Sequence, residues 1–248
     1  LLKEVKGEEG FGMTCYTVFD KNGAGIESYC QHINLALEEW RRLKPYYWDW
    51  VSRMFDGVDA VEIAILFHDL GKLGKAYIDA YTDRKLSPHL RRASRRHELI
   101  SAYWAYRVLP APLNYYIATA VALHHEPILL GAYAGALGER RIQVSTIYAM
   151  LKAIELGLGC KPECVDPRVK QALDLWERGE INAGLATDAF RDIVAFLSAG
   201  PSNEVRRKRA LVGGLLHLLV IADSRAAKRG RQGKGTRLAQ LSCQAEPA

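Results

Sequence analysis

The stretch "FHDLGK", residues 67–72, sets a histidine beside an aspartate at the end of an otherwise apolar run. Five more groups of the same chemical kind lie elsewhere: His32 in "CQHINLALEEW", His97 in "RHELISAYW", the pair His124 and His125 in "ALHHEP", and Asp223 in "LLVIADS". At helical period, His32, His68, Asp69, His97, His124, His125 and Asp223 fall on inward-facing stripes of five different helices. Burying imidazoles and carboxylates without partners costs several kcal/mol per group, so these residues must compensate one another or share a cation. Neutral imidazole nitrogens and carboxylate oxygens suit divalent Zn, Mn, Fe, Co or Ni. Adjacent His68 and Asp69 let one ligand face each of two ions, or let the carboxylate bridge them. Two ions roughly 3.5–4 Å apart are the usual device for in-line displacement at phosphorus.

Other polar residues compete for these roles. Asp188 and Asp192 also lie on an expected helix and could be the last carboxylate, although the place of Asp223 deep on an apolar helix favours it. Lys72 follows His68 by four residues and Asp69 by three. It either lies beside the cations, where it would stabilise developing negative charge, or caps a helix C-terminus. His217, among leucines and off the face of Asp223, reads as a hydrogen-bonded core residue, and His89 in a basic loop takes no role. "CKPEC", residues 160–164, has two sulfurs and no second pair, which reads as a loop rather than a zinc knuckle.

The elements that must position these groups are helical from about residue 26 onward. Tyr29, His32, Leu35 and Ala36 share one stripe; Val58, Val61, Ile65 and His68 share another, with Gly71 as the stop. His97, Ile100, Trp104 and Val108 line up next, then Ile117, Val121 and His124 ahead of Pro127, and finally Val212, Leu216, Leu219, Val220 and Asp223. Further helices are expected near 139–156, 167–178 and 187–199. Residues 11–20, "FGMTCYTVFD", rich in aromatic and β-branched types and followed by "KNG", suit a short hairpin. The fold class is all-α, a helical bundle around a metal site with a short N-terminal β-hairpin.

Composition sets the outer limits. At 248 residues and 49% hydrophobic content the chain can bury a full core as one large domain. The apolar run at 211–222 is too short to span a bilayer and the first ten residues lack a signal-peptide core, so the expectation is a cytoplasmic protein with no membrane contact. Five cysteines without regular spacing suggest reduced thiols. The formal charge of +6 is concentrated: residues 84–96 hold Arg84, Lys85, Arg91, Arg92, Arg95 and Arg96 with no acid, and the chain beyond residue 224 is basic again. That C-terminal stretch reads as a flexible tail. Arg91, Arg92, Arg95 and Arg96 lead directly to His97 and could guide a nucleic-acid strand by phosphate contacts. Residues 1–26 then form a lead-in, 27–226 the domain, and 227–248 the tail.

"HDLGK" resembles the signature of the HD metal-dependent phosphohydrolases. The series His32, His68-Asp69, His97, His124-His125, Asp223 is similar to the HD nuclease of type I CRISPR interference systems, over about residues 26–226. In that family the domain is often fused to a superfamily 2 helicase. Here no GxxxxGK[ST] loop occurs, so the resemblance is to the stand-alone subunit that relies on a separate helicase chain.

The resemblance implies two divalent transition-metal ions (Mn, Ni, Co, Fe or Zn, with Mg acceptable) bridged by Asp69. His32, His68 and Asp223 would complete one site, and His97, His124 and His125 the other. It implies cleavage of single-stranded DNA, endo- or exonucleolytic, by attack of an activated water on a phosphodiester, in antiviral defence with the CRISPR surveillance complex. Two other readings stay open: an HD phosphohydrolase of nucleotides, which needs one ion held by His, His-Asp and Asp, and a nucleic-acid-binding scaffold with a structural metal.

Overall fold

The computed structural model describes residues 14–125, 144–163 and 165–231. Strands β1 (Tyr16–Phe19) and β2 (Gly25–Ser28) pair antiparallel, Tyr16 opposite Ser28 and Phe19 opposite Gly25. Their turn is built by Asp20, whose carboxylate accepts from the backbone N–H of Asn22 and of Ala24, both at 2.8 Å. The hairpin thus lies later than residues 11–20, its second strand formed by "GIES". Alternation turns Thr17 and Glu27 inward, and both are fully buried. Ser28 ends the strand and caps the next helix, its hydroxyl accepting from the N–H of Gln31.

Helix α1 (Tyr29–Met54) buries Tyr29, His32, Ile33, Ala36 and Trp40 on one face. Asp59 caps α2 (Ala60–His68) by accepting from the N–H of Glu62, and is itself held by the Trp40 indole and the Lys44 ammonium. Val58 precedes this cap and is exposed, so the expected stripe begins at Val61. Eight of the nine α2 residues are buried, from Ala60 to His68 with only Glu62 excepted. An apolar segment of that kind can only sit at the centre of the bundle, and α2 packs on α1, α5 (His97–Val108), α6 (Leu113–Leu123) and α10 (Ser202–Gly230). Between α2 and α5 run a 3₁₀ turn at Leu70–Leu73, α3 (Lys75–Thr82) and α4 (Pro88–Ser94). The basic block at 84–96 is therefore partly helical, where a loop is expected: Ser87 caps α4 and Pro88 occupies its first turn.

Helices α7 (Val144–Lys152), α8 (Pro167–Glu177) and α9 (Ala183–Ser198) close the other flank, each within the expected ranges save the early start of α9. The indoles of Trp40, Trp104 and Trp176 are among the largest side chains fully removed from solvent. Helix α10 has 29 residues and is long and apolar enough to cross a membrane, which the run at 211–222 alone is not. Leu211, Val212, Leu215, Leu218, Leu219 and Ala222 are buried within the bundle, where α10 packs along α1 and against α6. It continues through residues 227–230, past the expected boundary at 226; residues 232–248, the rest of the expected tail, lie outside the described residues.

One expectation is overturned. Cys15 and Cys160, 145 positions apart, form a disulfide with Cα atoms 5.6 Å apart, and Cys30 is disulfide-bonded as well. The pairing joins the lead-in before β1 to the segment after α7, which irregular spacing along the chain does not reveal.

Candidate metal centre

Helix α2 ends at His68, and Asp69 leaves it at φ −104°, ψ 5°, the sparsely populated bridge region common at active sites. The helix thus stops three residues before Gly71. That glycine serves close approach instead: its N–H donates to Ser101 Oγ at 2.8 Å, and a Cβ on it would collide with the His97 carbonyl. The absence of a side chain lets the "HDLGK" turn lie directly against the N-terminus of α5, bringing His97 to Asp69.

Two groups of ligating atoms result. In one, His32 Nε2 lies 3.0 Å from Asp223 Oδ1, 3.4 Å from His68 Nε2 and 3.4 Å from Asp69 Oδ2, while His68 Nε2 is 3.6 Å from both carboxylates. In the other, Asp69 Oδ1 is 3.2 Å from His97 Nε2 and 3.8 Å from His124 Nε2, with His125 completing a set whose ligating atoms all lie within 4.8 Å of one another. The two oxygens of Asp69 divide between the groups. All of these residues are buried except His125, which stands at the solvent rim.

The outward nitrogens fix which atom faces in. Nδ1–H of His68 donates to the Ile65 carbonyl (2.7 Å), that of His97 to Arg95 (3.1 Å) and that of His124 to Val121 (2.5 Å). Since a carbonyl only accepts, the proton sits on Nδ1 and Nε2 turns a lone pair inward. His97 Nε2, His124 Nε2 and Asp69 Oδ1 are buried without a hydrogen-bond partner. Three converging buried acceptors call for a cation. The shorter donor spacings, 3.0–3.4 Å, match ligands at about 2.1 Å in tetrahedral to octahedral array, and those of 3.6–3.8 Å are wider.

Proton affinities follow from the crowding. Burial opposes protonation of His32, but its bonds to Asp223 and Glu27 and the charge of Asp69 outweigh that and bring its pKa up to about 9. Burial would raise Asp69, yet Lys72 and His68 hold it well below the usual carboxylate range; Asp223 is likewise held low, against its burial, by His32 and His68. Burial dominates at His97, whose pKa falls, whereas at His124 contact with Asp69 overcomes burial and raises it.

Lys72 is buried, with Nζ 2.6 Å from Asp69 Oδ2. Asp188 is exposed and paired with Arg191, and Asp192 accepts from the Tyr106 hydroxyl, so neither approaches the cluster that Asp223 joins. Within the basic block, the Arg91 guanidinium donates to the carbonyls of Asp83 and Leu86, and Arg96 pairs with Glu98 at 3.1 Å. Arg92 and Arg95 are exposed, the latter 4.5 Å over the Tyr81 ring. Glu27 and Glu98, both buried beside the histidines, carry no sequence signal: each is one carboxylate among 28 acidic residues until the fold places it.

No family model matches the chain. It is 45% identical over 225 residues to the CRISPR-associated endonuclease Cas3-HD of Thermoproteus tenax, covering 90% of this chain and 94% of that one. The chain belongs to the Cas3-HD family of CRISPR-associated endonucleases. Its likeness to the Cas3-HD proteins of Methanocaldococcus jannaschii (26%, 87% of this chain and 91% of the relative) and Pyrococcus furiosus (25%, 85% and 92%) runs over nearly the same length. The solved Cas3 HD domain protein from M. jannaschii shares the fold, with a TM-score of 0.57 over 83% of this chain and 99% of that chain at 24% identity. The expected mostly helical HD-domain fold with a short hairpin is thus the fold of this family, and the bundle carries two His/Asp groups that could hold divalent metal.

Proposed function

We propose that this Cas3-HD protein is a two-metal-ion nuclease that hydrolyses phosphodiester bonds of single-stranded DNA in CRISPR antiviral interference, beside a separate superfamily 2 helicase subunit and the surveillance complex. The observation that carries the reading is the division of Asp69, one oxygen toward His32 and His68, which Asp223 also approaches, and the other toward His97 and His124. A single-ion phosphohydrolase would leave the second group of buried acceptors without purpose, and a structural site is ordinarily closed with four ligands. Two divalent cations held there would polarise the phosphodiester and activate a water.

The chain's own residues do the rest. Asp69 would hold both cations at a fixed separation. His32, His68 and Asp223 would complete one coordination set and His97, His124 and His125 the other, the rim position of His125 leaving its side open to substrate. Lys72 carries a fixed positive charge against Asp69, where it would offset the negative charge that builds on the phosphoryl oxygens. Of the four arginines that lead to His97, Arg92 and Arg95 are exposed to a passing strand, while Arg91 and Arg96 shape the segment between them.

The test is cleavage of circular single-stranded DNA, which has no end for an exonuclease. Metal-dependent nicking by the wild type and none by Asp69→Ala is the expected result. Intact circles together with rapid release of phosphate from free nucleotides would replace this reading with a nucleotide phosphohydrolase.

A further inference from the structure

The four buried histidines of the cluster are not anchored alike. His68, His97 and His124 donate Nδ1–H to neutral backbone carbonyls, whereas His32 donates to a carboxylate, Glu27 Oε1, at 3.2 Å. Glu27 lies on β2, one residue before the cap of α1, and is fully buried. Its carboxylate is held from the far end of the chain. Arg231 Nε donates to Oε2 at 3.4 Å, and Gly230, the last residue of α10, gives it room, since a Cβ there would collide with Oε1. A buried carboxylate held by a built pocket, with one oxygen on the back of an inward-facing imidazole, is the arrangement that orients a metal-ligating histidine and strengthens its donor nitrogen.

We propose that Glu27 is a positioning residue for His32: it locks the ring with Nε2 turned toward Asp69 and Asp223, and makes the group of His32, His68, Asp69 and Asp223 the tighter of the two metal sites. The inference rests on the reading above, in which His32 is a ligand. Glu27 touches neither substrate nor cation and acts only through the imidazole. A carbonyl partner orients a ring equally well but draws its N–H proton less strongly. In the second group His97 and His124 bond neutral carbonyls, and the Glu98 carboxylate, paired with Arg96, stays 3.7 Å from His97 Nδ1, beyond hydrogen-bond range, so that group is the weaker.

The experiment is calorimetric titration of the full, EDTA-stripped protein with Mn²⁺ alone, on wild type, Glu27→Gln, Gly230→Ala, His32→Ala and His97→Ala, with metal-free melting temperatures alongside. Glu27→Gln keeps the shape and an acceptor oxygen while removing the charge; Gly230→Ala leaves Glu27 present but displaces it. The expected result is two classes of site in the wild type. The tighter class, identified by its loss in His32→Ala, weakens about 10- to 100-fold in both Glu27→Gln and Gly230→Ala, while the class lost in His97→Ala is unchanged. A purely structural Glu27 would instead lower the metal-free melting temperature and leave both affinities intact, which would overturn the proposal. If His32→Ala itself leaves Mn²⁺ binding untouched, the ligand reading falls and this inference with it. An effect of His32→Ala without one of Glu27→Gln or Gly230→Ala sinks the inference alone.

Discussion

Lys72 Nζ and Asp69 Oδ2 lie 2.6 Å apart with both side chains buried, so the cluster's central carboxylate carries a fixed cation of its own in addition to any ion it holds. The three-residue spacing on a 3₁₀ turn produces this contact, because i and i+3 eclipse there. Removing the ammonium while keeping the ligands should therefore lower turnover without emptying the site. Lys72→Met is expected to reduce the single-turnover cleavage rate about 10²- to 10³-fold while the bound metal per chain stays at the wild-type level. Metal analysis and rapid-quench cleavage on the same preparation check this; loss of metal in parallel with rate would assign Lys72 to holding Asp69 in place instead.

The metal-free protein should show an alkaline loss of stability with a definite sign. His32 has its pKa raised to about 9 in the fold from 6.5, so its contribution is complete below pH 6.5 and disappears as pH rises through about 9. His124, also raised, acts in the same direction, and His97, which is lowered, acts only below pH 6.5 and in the opposite direction. Asp69 and Asp223 are depressed from 3.8, so their contributions hold above that value and are lost in acid. In EDTA the melting temperature is expected to fall between pH 6.5 and 9, and the fall should be shallower in His32→Asn. Calorimetric melting at fixed ionic strength reads both.

Gly71 offers a steric test of how the site is assembled. A methyl group there meets the His97 carbonyl, so Gly71→Ala must move α5 away from the "HDLGK" turn. Overpacking of this kind costs about 1–3 kcal/mol, and the displacement falls on the contact between His97 and Asp69. The expected outcome is a lower melting temperature together with loss of one bound metal of two, measured by unfolding and metal analysis.

The disulfide between Cys15 and Cys160 braces the same turn from outside. The N–H groups of Gly159 and Cys160 donate to the Leu73 carbonyl, and Lys75 N–H donates to that of Gly157, so the bridged segment is hydrogen-bonded to the end of the 3₁₀ turn. Cys15→Ser is expected to cost about 2–5 kcal/mol of stability in denaturant melts. An unchanged midpoint would show that these backbone bonds suffice.

The buried His/Asp cluster is legible in the sequence because ionisable residues on apolar stripes stand out: His32, His68, His97 and Asp223 each interrupt a run whose period already fixes which way it faces. The early halt of α2 at His68 is not legible, since Gly71 looks like a stop and the contact that requires it, with the His97 carbonyl, is tertiary. Helix α4 escapes notice because "PHLRRAS" is short and offers only Leu90 and Ala93 at helical spacing; its cap and proline carry the signal. The cysteine pairing has no trace along the chain, as it joins segments that only the packed bundle brings together, whereas Glu27 lies just five residues before His32 and its partnership depends on the turn from β2 into α1.

The most direct measurement is the anomalous difference map of a crystal grown with Mn²⁺. Two peaks flanking Asp69, roughly 3.5–4 Å apart, one beside His32, His68 and Asp223 and the other beside His97, His124 and His125, are the predicted result. A single peak among His32, His68, Asp69 and Asp223, with none beside His97 and His124 at saturating metal, would contradict it.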